Sequence, residues 1–110
     1  MDSDDAILVF DALAQPTRLA AFRLLVRHAP DGLPAGEVSN RLNIQQNTMS
    51  THLGILARAG LVEPRRVGRS IRYHARLDRV RALSLFLLKD CCGGDAELCR
   101  PIVAELMPCC

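Results

Sequence analysis

At 110 residues and 49% apolar composition the chain can bury one core, and a domain this small keeps so high a surface-to-volume ratio that self-association is a common supplement. No apolar run approaches the roughly 20 residues of a membrane span, and Asp2, Asp4 and Asp5 stand where a secretory signal would carry positive charge, so a cytoplasmic protein with no membrane partner is expected. Net charge is only +2, but residues 1–40 carry three Arg against six acids, residues 41–81 nine Arg against two, and residues 82–110 one Lys and one Arg against four; a basic centre between acidic ends is where a polyanion docks, because each neutralised phosphate releases counterions.

From Asp5 to Ala14, the apolar residues Ile7, Leu8, Phe10, Leu13 and Ala14 follow helical spacing, with Asp2, Ser3 and Asp4 ahead of them to cap the helix and complement its dipole. Pro16 fits the first turn of a second helix, whose Leu19, Phe22, Leu25 and Val26 form a stripe ending before Pro30-Asp31-Gly32. Both helices are expected to supply core. A third helix runs through Leu42 with Val38 inward, and after a short break a fourth spans about Gln45 to Ala59, with Gly60 as its stop signal.

The fourth helix sets Met49, Leu53, Leu56 and Ala57 on one face and Asn47, Ser50, Thr51, Gly54 and Arg58 on the other. A solvated helix face usually carries charge pairs. This one is small and uncharged in its N-terminal half, which suits approach to base edges in a major groove; an ordinary amphipathic surface helix is the alternative.

Beyond Gly60 the pattern becomes extended. Leu61-Val62 opens a strand, Gly68-Arg69 marks a turn, and Ile71, Tyr73 and Ala75 alternate with Arg72, His74 and Arg76. The result is a hairpin, with Pro64 suited to an edge strand, and Arg65, Arg66, Arg69, Arg72 and Arg76 on or beside it could graze phosphates. A last helix, capped by Asp78, holds Val80, Leu83, Leu85, Phe86, Leu87 and Leu88, more apolar surface than the domain can cover. Dimerisation would answer that need. The elements give a mainly α fold with a small β-hairpin in the order α-α-α-α-β-β-α, a winged helix-turn-helix. Residues 1–89 are expected to form this DNA-binding and dimerisation domain, and residues 90–110 a cysteine-rich sensing tail. His28, His52 and His74 are scattered with no catalytic partner in evidence, so no enzyme is expected.

Three stretches, Phe10 to Leu19, Leu42 to Leu53 and Leu56 to Val62, together with Arg66-Val67-Gly68-Arg69 and Tyr73, resemble the ArsR/SmtB family of metal-responsive repressors over about residues 10 to 88. The resemblance implies a homodimer joined by the first and last helices. It also implies binding to double-stranded operator DNA, relieved when a ligand is sensed. By position Gln46, Asn47, Thr48, Ser50, Thr51 and His52 take the DNA-reading role, with Arg58 and the wing residues Arg65, Arg66, Arg69 and Arg72 beside them. Sensing sites differ between family members on one scaffold. An arsenic site of the family places Cys-x-Cys at the start of the third helix, but Leu33 to Val38 contains no cysteine; a zinc-type site uses His and acids along the last helix, but Val80 to Lys89 has none.

All five cysteines lie in the last twenty residues: Cys91, Cys92, Cys99, Cys109 and Cys110. In a reducing compartment such clusters bind metals, react or stay inert more often than they form structural disulfides. Adjacent Cα atoms are about 3.8 Å apart, so Cys91 and Cys92 can approach one ion if the backbone turns at Gly93-Gly94, and Cys99 can close a third position. An all-sulfur set selects soft acceptors over magnesium, calcium or manganese. The vicinal pair with a third cysteine resembles the trivalent-arsenic type of ArsR, which implies arsenite, or antimonite or methylarsenite, as the inducer ligand. A zinc or cadmium site, a redox disulfide switch, a tail of free thiols and a metal-buffering thiol protein are the alternatives. Cys109 and Cys110 could take a second ion, bind an organic arsenical, pair with the others, or fray.

Overall fold

The computed structural model describes residues 1–88 and 96–106. Helix α1 spans Ser3–Leu13 and starts from a reciprocal cap, the Asp2 carboxylate accepting from the Asp5 N–H at 2.8 Å while the Asp5 carboxylate accepts from the Asp2 N–H at 3.4 Å. Helix α2, Pro16–Arg27, opens on Pro16 with Gln15 as its cap, the Gln15 side-chain oxygen accepting from the Arg18 N–H at 2.7 Å. Strand β1 is Leu33–Pro34, followed by α3, Ala35–Leu42, and α4, Gln46–Arg58.

Helices α3 and α4 end in the same way. Asn43 (φ 54°) and Gly60 (φ 78°) adopt the left-handed conformation. Behind them Ile44 N–H donates to the Ser39 carbonyl and Leu61 N–H to the Leu56 carbonyl, each at 3.0 Å. This six-to-one closure reverses the chain abruptly and pairs carbonyls a helix end would leave exposed. At the second closure Leu56 and Leu61 are both fully buried, so the turn is also anchored in the core.

Strands β2 (Val62–Val67) and β3 (Ser70–Ala75) follow, then α5 (Leu77–Leu88) and α6 (Ala96–Leu106). The sheet order is β1-β3-β2, antiparallel throughout, with Leu33 opposite Tyr73 and Val62 opposite Ala75. Pro64 therefore lies on an edge strand, where its missing N–H removes no inner ladder bond. Gly68 (φ 63°) is the first residue of the two-residue turn between Val67 and Ser70, and Arg69 keeps a negative φ, the type II′ pattern that matches strand twist.

The winged helix-turn-helix order expected from the sequence is present, with two additions. The hairpin has a third strand, because Leu33–Pro34 lies against β3; Gly32 (φ 72°) permits this, since a Cβ there would collide with the Tyr73 carbonyl oxygen and stand 2.8 Å from His74 Nδ1. The tail contains α6, although Pro101 inside it brings no N–H to the helical ladder.

The core joins Val9 and Ala12 of α1, Phe22 and Leu25 of α2, Val38 of α3, and Met49, Leu53 and Leu56 of α4 to Leu61 and Val62. In α1 the buried stripe is Ala6, Val9 and Ala12, so the expectation that Ile7, Leu8 and Phe10 supply core is corrected: they are 63%, 46% and 45% exposed. Ala6, Val9 and Ala12 lie where α1 meets its own domain, with Leu13 packed at the edge, and Ile7, Leu8 and Phe10 face outward. Leu85 and Phe86 of α5 are also exposed, while Val80 and Leu83 pack on the core. No helix among the described residues is long and apolar enough to cross a membrane.

Candidate nucleic-acid interface

Helix α4 is held by Met49, Leu53 and Leu56, all fully buried. That fixes the opposite face outward. Gln46, Asn47, Thr48, Ser50, Thr51 and Arg58 are exposed, and Gly54 is half-buried with open space around its Cα. Thr51 Oγ1 donates to the Asn47 carbonyl at 3.3 Å, and the Gln46 side-chain amide rests by Gly36 of α3, where a Cβ would come within 3.0 Å of it. The first turn of α4 contains no acid and its N-cap, Gln45, makes no side-chain cap, so the positive end of the helix dipole meets no negative charge of its own element.

The structure sorts the wing arginines that the sequence could only group. Arg66 and Arg69 are exposed and form no ion pair among the described residues. Arg65 is exposed but pairs with Glu63 at 3.2 Å. Arg72 turns away: its Nε and Nη2 donate to the carbonyls of Asp31 and Gly32 at 3.2 and 3.1 Å, tying β3 to the loop after α2. Arg76 pairs with Asp78 at 2.9 Å, and that hydrogen bond, aided by the Arg76 charge, lowers the Asp78 carboxyl below its ordinary value against the opposing effect of desolvation.

His52 is half-buried, with Nδ1 3.5 Å from Arg18 Nη1. His28 Nε2 lies 2.9 Å from Arg41 Nη1, and His74 Nδ1 lies 2.9 Å from the Pro30 carbonyl. Each histidine thus has a partner within the fold.

Two connections went unnoticed in the sequence. Arg18 Nε and Nη2 donate to the Ala12 and Asp11 carbonyls at the end of α1, at 2.6 and 3.3 Å. Arg79 Nε donates to the Ala59 carbonyl just past α4 at 3.2 Å, while its guanidinium lies 3.8 Å from Asp5 of α1. Spacing cannot reveal such contacts, since the acceptors are mostly backbone carbonyls that carry no residue identity.

Of the thiol ligands expected from the sequence, Cys91, Cys92, Cys109 and Cys110 lie outside the described residues; Cys99 falls within α6 by its backbone.

A helical core that exposes its fourth helix beside a basic β-hairpin defines a winged helix-turn-helix DNA-binding regulator. A helix-turn-helix domain family matches residues 13–65. Over 94 residues the chain is 31% identical to the biofilm growth-associated repressor of Agrobacterium fabrum, covering 86% of this chain and 78% of that one. It is equally identical to the transcriptional activator HlyU of Vibrio cholerae, covering 86% and 84%. A probable mercury resistance operon repressor of Streptomyces lividans is 33% identical over 84% of this chain and 70% of its own. Among solved structures, an ArsR-like regulator from Rhodococcus superposes with TM-score 0.70 at 29% identity, covering 94% and 91% of the two chains. A homodimeric winged helix-turn-helix domain from Mycobacterium bovis gives 0.65 at 28%, covering 77% of each, and the antimony-specific repressor AntR gives 0.61 at 26%, covering 77% and 76%. The chain belongs to the ArsR family of winged helix-turn-helix transcriptional regulators, DNA-binding proteins rather than enzymes.

Proposed function

We propose that two copies of this chain bind a palindromic operator as a repressor, and that trivalent arsenic bound by C-terminal thiolates releases it. The observation that carries the DNA half is the uncharged strip Asn47, Ser50 and Thr51 on the outer face of α4, next to Arg66 and Arg69 of the wing. Asn47, Ser50 and Thr51 read base edges, Gln46, Thr48 and His52 flank them, and Arg58, Arg65, Arg66 and Arg69 meet phosphates. Arg72 contributes by holding the wing to the loop after α2.

Dimerisation is supported by the outward Ile7, Leu8 and Phe10 of α1 and Leu85 and Phe86 of α5, and by the homodimeric Mycobacterium bovis relative. Joining copies through these helices serves operator binding, because recognition helices must lie about 34 Å apart to enter successive major grooves. Residues 1–89 perform this role and residues 90–110 sense.

The donor set supports a soft ligand. Cys91, Cys92 and Cys99 offer three sulfurs and no nitrogen, and the relatives include an antimony-specific repressor and a probable mercury resistance operon repressor, both named for soft elements. With arsenous acid each cysteine S–H exchanges with an As–OH, forming an As–S bond and one water without any change of oxidation state. Antimonite reacts likewise, and methylarsenite needs only two thiols. Cys109 and Cys110 are available for a second ion or an organic arsenical. Because Cys91 and Cys92 lie three and four positions past the end of α5, gathering the thiolates shifts α5 or α6 and changes the spacing of the recognition helices. Arsenite then lowers DNA affinity, and DNA lowers arsenite affinity by the same factor, typically a coupling of about 1–3 kcal/mol.

A gel shift with the DNA upstream of the protein's own coding sequence tests the repressor, and absence of binding there overturns it. A release titration with arsenite, methylarsenite, antimonite, zinc, cadmium and peroxide tests the ligand. Release by zinc or peroxide but not by arsenite overturns the arsenic assignment.

A further inference from the structure

Arg18 sits in the first turn of α2, where its own N–H serves the Gln15 cap. Its side chain runs back to α1, Nε donating to the Ala12 carbonyl at 2.6 Å and Nη2 to the Asp11 carbonyl at 3.3 Å. These carbonyls belong to the negative end of the α1 dipole, a favourable seat for a guanidinium. The remaining nitrogen, Nη1, faces His52 Nδ1 on α4 at 3.5 Å. One side chain thereby joins an outward-facing apolar helix, α1, to the recognition helix.

A guanidinium has only N–H donors, so Nδ1 of His52 can meet it only through its lone pair. The single proton of the neutral ring must then reside on Nε2, on the far side of the imidazole. His52 is half-buried, directly follows exposed Thr51, and lies one helical turn beyond exposed Thr48. A directed N–H donor is therefore held at the margin of the face assigned to DNA.

We propose that Arg18 is a positioning residue for DNA binding: anchored on the end of α1, it fixes His52 as the Nε2–H tautomer, and that N–H donates to a phosphate oxygen of the duplex. The proposal rests on the assignment of α4 to DNA. A neutral donor gives the contact an unusual signature. It strengthens binding to every sequence alike, since phosphates carry no sequence information, yet it neutralises no charge and leaves the salt dependence unaltered.

The test compares wild type with Arg18→Gln, His52→Gln and His52→Asn. Nitrogen NMR of the labelled histidine rings reads the tautomer, and fluorescence anisotropy over a salt series reads affinity for the upstream fragment and for a random-sequence duplex. In wild type the Nε2–H tautomer is expected, and in Arg18→Gln a mixture of both tautomers. His52→Gln, whose amide reaches the Nε2 position, retains affinity. His52→Asn, whose amide stops near Nδ1, loses the contact in both protomers and binds both duplexes about a hundredfold more weakly, the order of two hydrogen bonds to charged acceptors, with an unchanged salt slope. Should Arg18→Gln unfold, the two His52 variants and the wild-type tautomer still decide the matter.

An Nδ1–H tautomer in wild type overturns the proposal. So does wild-type affinity in His52→Asn, or a reduced salt slope in that variant. Failure of wild type to bind either duplex overturns the assignment of this face to DNA as a whole, which distinguishes the two failures.

Discussion

Removing Arg66 or Arg69 should change how DNA binding depends on salt, and the size of the change can be worked from the wing. Both side chains are exposed and without an ion pair among the described residues, so each is available to one phosphate per protomer. The dependence of log K on log salt has a slope of about −0.9 per neutralised phosphate. In a dimer each substitution removes two contacts, so Arg66→Ala or Arg69→Ala should flatten the slope by about 1.8. With affinity extrapolated to 1 M salt left unchanged, the same exponent gives about thirtyfold weaker binding at 0.15 M, for specific and random duplexes alike. Folding should be indifferent, within about 0.5 kcal/mol, because neither side chain contacts the core. Anisotropy titrations between 0.05 and 0.4 M salt, paired with urea melts, measure both quantities. Wild-type slopes in both variants would refute the placement of the wing on the phosphate backbone. Arg72→Ala provides the contrast: it releases the Asp31 and Gly32 carbonyls, so lost stability should accompany any lost affinity.

Phe10→Asp or Leu85→Asp places a charge on the outward apolar face of α1 or α5 and should convert the dimer to monomer in sedimentation equilibrium, with operator binding lost at micromolar protein; dimers persisting in both variants would place the interface elsewhere. Cys91→Ser, Cys92→Ser and Cys99→Ser should each bind the operator normally yet fail to release it with arsenite, and normal release by all three would assign the sensor to other residues. Gly60→Ala forces a Cβ into the left-handed region at φ 78° and to 3.0 Å from Arg79 Nε, so it should cost about 1–2 kcal/mol in denaturant unfolding; an unchanged midpoint would show that the turn relaxes freely. Because Arg76 lowers the Asp78 carboxyl below its ordinary 3.8, the stabilising contribution of this pair is present above that value and is lost as pH falls through the depressed one. Asp78→Asn should therefore flatten stability against pH on the acid side, and an unchanged acid limb would refute the link.

The helices of the DNA-binding domain were legible in the sequence because their signals are local. Pro16, Gly60 and the period of Met49, Leu53 and Leu56 act within a turn or two, and so does the alternation of Ile71, Tyr73 and Ala75 beyond the Gly68 turn. The clustering of Arg across residues 41–81 likewise required no coordinates. The short strand Leu33–Pro34 was not legible, since two residues have no period and its pairing with Tyr73 and Arg72 depends on contacts about forty positions away. Helix α6 was obscured by Pro101 and the preceding Gly93-Gly94, although Leu98, Ile102 and Leu106 repeat every four residues.

Sequence therefore determined the family scaffold, the candidate groove face and the clustering of all five cysteines in the last twenty residues, because residue type and spacing encode those directly. Tertiary structure decided which apolar residues of α1 turn outward, which wing arginines remain available to DNA, and that Arg18 joins α1 to His52. Those outcomes depend on where backbone carbonyls and distant side chains meet in space, and a linear pattern does not specify that.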